Sequence, residues 1–292
     1  MKKILIASVM LAAMGLAQAQ ITVYGKARVY EESTKVGTAE AVTSLTNDSS
    51  RFGIKATEAL AGGMTASVVL ETGYGADAPA ASTLGDRTAI VGLSNKLGSV
   101  AMGRDKHSIA RTLDNYDSMG NAFGSSTAVI HAAQGSRLQN AVFVTAKPVA
   151  GLTAMYAIAN SEVAGGTTES QASSIEYTVG PMSATAARYT TGTNSYSGIA
   201  GAKYKFANTT VFGMYSEDKV SGVSTTGKSV GVNQAMGAVT LLAGYGENDT
   251  VKAYNVGASY NLSKTTLVHA RYVKEDSTTN TQKFGAGIEM NF

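Results

Sequence analysis

Cysteine and tryptophan are absent from the 292 residues, and proline occurs only three times. Without thiols there is no disulfide framework and no thiol nucleophile, and a zinc site would rest on three histidines and the carboxylates. Beyond the first 19 residues no apolar run approaches the roughly 20 that a spanning helix needs, which excludes a helical membrane protein. An excess of one charge is also lacking: 24 Lys and Arg against 21 Asp and Glu give no electrostatic grip on nucleic acid. Neither G-x-S-x-G nor H-E-x-x-H occurs, and His107, His131 and His269 belong to no hydrolase motif. The acids Asp48, Asp77 and Asp249 do not have the spacing of a calcium loop. The chain therefore points away from an enzyme, and no cofactor or metal is expected.

What is present begins with MKKILIASVMLAAMGLAQA, residues 1–19. A basic start, a short apolar core and Ala17 and Ala19 at an A-x-A site describe a signal peptide cleaved after Ala19. Residues 20–292 are then one exported domain, and losing Lys2 and Lys3 brings the formal charge close to neutral.

Apolar and polar residues alternate in segment after segment. In ITVYGKARVY (21–30), Ile21, Val23, Ala27 and Val29 share one face, with Tyr24, Lys26 and Arg28 on the other. SRFGIKAT (50–57) opposes Phe52, Ile54 and Ala56 to Arg51, Gly53 and Lys55. MTASVVLE, GIAGAKYKF and VHARY repeat the pattern, setting Glu71, Lys203, Lys205, His269 and Arg271 on polar faces. A period of two this persistent means strands with one apolar and one wet face. Residues 151–160, 182–191 and 208–216 alternate too poorly for faces to be assigned.

Seven tight connections (near 61–63, 95–98, 148–151, 180–182, 207–208, 236–237 and 263–264) separate longer ones. The longer ones fall near 31–49, 75–85, 105–135, 161–170, 192–196, 218–226, 247–250 and 275–281, which makes sixteen strands. A soluble sandwich would bury the apolar faces against a second sheet; a membrane barrel would turn them to lipid. Strand lengths near ten residues favour an all-β, sixteen-stranded antiparallel transmembrane barrel. So do aromatic residues near strand ends, among them Tyr24, Tyr30, Tyr74, Tyr204, Phe206, Tyr260, Tyr272 and Phe292. The last segment, KFGAGIEMNF (283–292), alternates up to Phe292, as a strand that closes the barrel against the first would.

Five blocks in order resemble the general trimeric porins of Gram-negative outer membranes. They are ITVYGKARV (21–29), SRFGIKATEALAGGMTA (50–66), DRTAIVGLSNKLGSVAMGRD (86–105), SRLQNAVF (136–143) and GAGIEMNF (285–292). The resemblance implies a homotrimeric outer-membrane barrel with short periplasmic turns and long extracellular loops. It also implies passive diffusion of small hydrophilic solutes and ions, contacts with outer-membrane lipid and lipopolysaccharide, and a terminal Phe292 read by the barrel-assembly machinery. It implies that the long loop 105–135 folds into the lumen as a constriction. In that loop Asn121-Ala122-Phe123-Gly124 places Ala122 where the family carries an acid, leaving Asp114 and Asp117 as candidate acids. Opposite, the family's basic wall corresponds to Lys26, Arg51, Arg87 and Arg137, with Arg28 and Lys55 on the same faces.

A charge in mid-strand on the lipid face costs about 2–4 kcal/mol, so these bases belong inside, although Arg87 at a strand end also suits a rim position. Rings of Arg and Lys favour anions, and the missing acid at Ala122 tilts the balance further. The sequence thus predicts a water-filled channel with a mild anion preference. The alternative is an adhesin or structural barrel without an open pore.

Overall fold

A computed structural model describes residues 19–78, 82–130, 136–162, 170–192 and 195–292. All of the leader except Ala19, together with His131, lies outside the described residues. The strands are β1 (Gln20–Val36), β2 (Val42–Asn47), β3 (Arg51–Leu60), β4 (Met64–Gly73), β5 (Thr88–Asn95) and β6 (Gly98–Lys106). They continue with β7 (Arg137–Ala146), β8 (Leu152–Ala159), β9 (Ser170–Val179), β10 (Met182–Thr191), β11 (Ser195–Phe206) and β12 (Thr209–Val220). The last five are β13 (Val223–Met236), β14 (Val239–Asn248), β15 (Lys252–Asn261), β16 (Thr266–Asp276) and β17 (Thr281–Asn291). Between β6 and β7 lies one helix, α1 (Ser108–Tyr116), followed by a short 3-10 turn at Ser126–Val129.

Apart from β2 and β3, each strand pairs antiparallel with the next, and β17 returns to β1 with Arg28 opposite Glu289. The outer half of β1 pairs with β2 and its inner half with β3, so β2 and β3 are one stave broken at 48–50. The sheet is therefore a closed barrel of sixteen staves, the number expected from the sequence. At the break Ser49 takes φ 62°, and Ser50 Oγ accepts from the Arg28 amide at 2.9 Å. That kink turns Asp48 into the lumen, where it meets Arg28. Closure is completed by reciprocal backbone bonds between Gly25 and Phe292, at 2.9 and 3.1 Å.

Large apolar side chains point outward: Ile21, Val23, Phe52, Ile54, Val68, Val91, Met102, Val230, Val256 and Ile288 are all exposed on the barrel's outer face. In water this would be a liability; around a barrel it is the band that meets hydrocarbon. Tyr156, Tyr177, Tyr204, Phe206 and Tyr260 are exposed near the short-turn end, and Tyr215 and Tyr254 near the other. Among the described residues no helix is long and apolar enough to cross a membrane.

Three of the aromatics assigned to such belts turn inward instead. Tyr24 lies across Gly53 on the facing stave, and Tyr30 is fully buried against Gly287. Tyr74 directs its hydroxyl at the Lys26 carbonyl, 3.4 Å away. A glycine opposite Tyr24 and opposite Tyr30 leaves room for a ring to lie flat on the inner wall. Two loops also differ in length. The connection expected near 218–226 is the two-residue turn Ser221-Gly222, with φ of 50° and 90°, which suits a tight hairpin. The loop expected at 31–49 is mostly strand, because β1 and β2 run on past the apolar band with polar residues on both faces.

Candidate functional site

The described part of the loop, residues 107 to 130, does not rise out of the barrel. It folds inside and lies along the inner wall from β9 to β17. Ile109, Leu113 and Tyr116 of α1 pack on Leu138, Ala157, Ala172, Ala187, Ile199 and Met214 of the wall. This explains why 151–160, 182–191 and 208–216 alternate poorly: their inner face is covered by the loop and mixes Ala157, Ala187 and Met214 with small hydroxyl residues such as Ser183 and Ser216, so it no longer contrasts with the outer one. Tyr116 OH is 2.6 Å from Ser183 Oγ, which fixes the end of the helix against β10.

Past Tyr116 the loop runs over a floor of glycines. A Cβ on Gly231 would stand 2.7 Å from Ser118 Cβ, one on Gly246 2.3 Å from the Ser126 carbonyl oxygen, and one on Gly285 2.3 Å from Phe123 Cε1. Gly231 is directly opposite Gly244, which also faces Ser118 and Ser126. Any side chain at these inward positions would lift the loop off the wall. Sequence reading passed over them as small residues of the alternation. The signal that could have found them is the recurrence of glycine at inward parity on neighbouring staves.

The tip of the loop is anchored at the seam. The Phe123 amide donates to Asp48 Oδ2 at 2.8 Å, and Arg271 Nη1 donates to the Phe123 carbonyl at 2.9 Å. The Phe123 ring lies 4.9 Å from that of Tyr30. Asp48 and Arg271 were not among the expected constriction residues, although Arg271 was placed inward.

The basic residues converge on the wall facing this loop. Arg28 bridges Asp48 at 2.9 Å and Glu289 at 3.1 Å. Glu71 takes Arg87 at 2.7 Å and Arg51 at 3.6 Å. Lys26 is buried between these groups and has no carboxylate within 4.0 Å among the described residues. Lys55 shares the inward face but sits further toward the short-turn end of β3. Arg137, at the other end of β7, donates to Ser136 Oγ at 3.0 Å and lines a cavity of about 540 Å³ with Arg104, Gln139 and Tyr189. The basic candidates thus fall into a group of Lys26, Arg28, Arg51 and Arg87 around shared carboxylates, with Lys55 further toward the short-turn end and Arg137 at the long-loop end of β7.

The two candidate acids of the loop differ. Asp114 is 33 % exposed to the lumen; it pairs with Lys106 and accepts from Asn121 Nδ2 at 3.2 Å. Arg111, 45 % exposed, pairs with Asp105 beside it. Asp117 is only 5 % exposed and turns back into the loop, where Oδ2 accepts from the Asn121 amide at 2.7 Å. Burial raises its pKa above the ordinary carboxylate range, against hydrogen bonds from the Asn121 amide and the Ser125 side chain that lower it. Asp117 holds the turn together and presents no charge to the lumen. Ala122 is buried as well, so the missing acid leaves no open position behind.

A family model described as Gram-negative porin matches residues 5–280. The chain belongs to this family. The anion-selective porin from Comamonas acidovorans superposes with a TM-score of 0.82 at 20% identity, covering 94% of this chain and 100% of its own. OmpF of Salmonella typhi, solved with daunomycin, gives 0.76 at 18% identity over 94% of this chain and 98% of its own. OmpT of Vibrio cholerae, an outer-membrane protein in its trimer form, gives 0.72 at 13% identity over 94% and 99%. No curated protein sequence matches the chain. At such identities the structures establish the shared barrel fold, while the family model makes the chain an outer-membrane porin, a channel rather than an enzyme.

Proposed function

We propose that this porin carries small hydrophilic solutes and ions across the outer membrane by passive diffusion, with a mild preference for anions. One observation carries the anion preference. The charges the loop presents to the lumen pair among themselves, Lys106 with Asp114 and Arg111 with Asp105, whereas the facing wall sets four bases, Lys26, Arg28, Arg51 and Arg87, against three acids, Asp48, Glu71 and Glu289, which leaves one positive charge in excess. In a narrow aqueous passage walled by protein such a charge acts strongly on a passing ion. The excess is small, because Glu71, Glu289 and Asp48 offset Arg28, Arg51 and Arg87, so the preference is mild. The anion selectivity of the Comamonas acidovorans porin supports the same sign.

The test is the reversal potential of the reconstituted protein in a potassium chloride gradient across a planar bilayer. A shift toward the chloride potential is expected, moving toward potassium in Arg51→Gln/Arg87→Gln. A cation preference in the unsubstituted protein would overturn the reading. A barrel serving only as an adhesin or scaffold would give no conductance steps at all.

The working unit in this reading is a homotrimer, supported by the trimer form described for the Vibrio cholerae relative. The sequence MKKILIASVMLAAMGLAQA supports export by a cleaved signal peptide. Phe292, with its ring against Gly25 at the seam, is proposed as the residue the assembly machinery reads, and the outward aromatic belts as the surfaces meeting lipid and lipopolysaccharide.

A further inference from the structure

Beside the basic group on the inner wall, an aromatic ring is laid flat. Tyr24 on β1, Gly53 on β3 and Glu71 on β4 are direct partners in one row across three staves. A Cβ on Gly53 would stand 2.4 Å from Tyr24 Cζ and 2.7 Å from both Cε1 and Oη. The nearest atom is Cζ, and two of the atoms bonded to it are equally far, so that point lies over the face of the ring and not at its edge. One face of Tyr24 therefore rests on the glycine, the hydroxyl turns to Glu71, and the other face is left toward the lumen, partly exposed. Among the described residues no ring and no Lys or Arg stacks on that second face.

The next row toward the long loops is Lys26, Arg51 and Gly73, and Arg87 lies over Gly73, its Cδ 3.4 Å from where a Cβ would be. Glu71 holds both guanidinium groups by Nε, Arg87 at 2.7 Å and Arg51 at 3.6 Å. An arginine held there has its terminal nitrogens left to take a carboxylate in the two-pronged way that suits its planar fork. The Arg87 side chain makes no other hydrogen bond among the described residues, and Arg51 adds only a long one of 3.4 Å from Nη1 to the Ser49 carbonyl. Residues two apart on a strand are separated by about 7 Å. A ring resting on Tyr24 with a carboxylate directly attached spans that distance once a hydrogen bond of about 2.9 Å is added.

We propose that Tyr24, Arg51 and Arg87 form a binding site for small aromatic carboxylates, of which benzoate is the simplest. The ring of the solute stacks on the free face of Tyr24, and its carboxylate meets the guanidinium ends. Chloride uses the charge alone, an aliphatic acid uses the charge without the stack, and a neutral ring uses the stack without the charge. Tyr24 thereby becomes a residue that sorts among anions, where the arginines only separate anions from cations. The inference rests on the anion-preferring porin reading and adds to it a solute class and the residue that selects it.

The test is block of the potassium chloride current of reconstituted channels at neutral pH by benzoate, acetate or cyclohexanecarboxylate, the last of similar size and charge to benzoate but with a puckered ring. Benzoate should half-block at a concentration about tenfold below that of acetate, with cyclohexanecarboxylate closer to acetate. Tyr24→Leu should abolish the advantage of benzoate and Tyr24→Phe should keep it, folding checked by circular dichroism in both. Arg51→Gln/Arg87→Gln should weaken block by benzoate and acetate alike. Equal block from benzoate and cyclohexanecarboxylate overturns the proposal, as does an advantage that survives Tyr24→Leu or is lost in Tyr24→Phe. So does block by benzoate that ignores the arginine substitutions. A chloride-preferring channel without the benzoate advantage counts against this inference alone; a cation-preferring channel, or none, counts against the reading beneath it.

Discussion

Phe123 lies directly on Gly285: a Cβ on that glycine would stand 2.3 Å from Cε1 of the ring. The tip of the loop folded into the barrel is thus seated by an absence on the wall, and Tyr30 and Arg271 contact it there. Gly285→Val should push the ring out of its seat at a cost of about 1–3 kcal/mol, the usual range for overpacking. The barrel's circular dichroism should be unchanged, while single-channel records become noisier and shift in conductance. Quiet records at the original conductance would show that the tip is held without this contact.

Asp114 and Asp117 should respond oppositely to the same substitution. Asp114→Asn removes a carboxylate that water reaches, frees Lys106 and should move the reversal potential further toward anions. Asp117→Asn should leave it unchanged.

The stability effect at Asp117 has a definite sign. Burial raises its pKa, so the fold favours the neutral acid, and ionisation costs stability as pH climbs through the ordinary carboxylate range to the raised value. Asp117→Asn, whose amide oxygen can still accept from the Asn121 amide, should be at least as stable as the parent at pH 7. The difference should vanish in acid, where Asp117 is protonated in both folded and unfolded chains. Denaturant titrations at the two pH values provide the comparison.

Arg28 holds two acids in the wall, Asp48 and Glu289, and donates from Nε to the Asp48 carbonyl at 3.1 Å. Truncating one partner of such a buried network leaves uncompensated charge, typically at a cost of about 3–5 kcal/mol. Arg28→Ala should lower the denaturant midpoint accordingly. It should also loosen the loop tip, because Asp48 carries the Phe123 amide. Arg28→Glu/Glu289→Arg, which restores one pair, should recover part of the loss.

Deleting Phe292 removes a ring packed on Gly25 and the backbone exchange with that residue. The yield of assembled barrels should fall while surviving channels keep their conductance, since the Phe292 ring is exposed on the outer face whereas the Arg51 and Arg87 side chains turn inward to Glu71. Altered conductance in the survivors would place the terminus in the pore lining instead.

Much of this architecture was legible because lipid outside and water inside impose a period of two. β1, β3 and β4 carry that period cleanly, and the basic residues read from them do stand on the inner face. The reading weakened where a third environment intervened. On β8 to β12 the inner face meets α1 rather than water, so Ala157, Ala172, Ala187 and Ile199 erase the contrast between faces. Tyr24 and Tyr30 look like interfacial aromatics until the glycines opposite them, on staves brought adjacent by pairing, are known. Asp117 and Asp114 are three residues apart in one loop, and only the turn that wraps Asp117 around Asn121 separates a structural acid from an exposed one. Each of these facts depends on partners distant in sequence, which local periodicity does not register.

The join between β1 and β17 also sets an order of events. Arg28 and Glu289 stand 261 positions apart in the chain and meet only when the last stave is in place. Until then β1 has an unpaired edge, Asp48 is held from one side only, and the loop tip that depends on Asp48 and Tyr30 has no finished wall to rest on. Narrowing of the passage is therefore coupled to completion of the barrel: a half-assembled porin can be an open sheet, but it cannot yet be a filter.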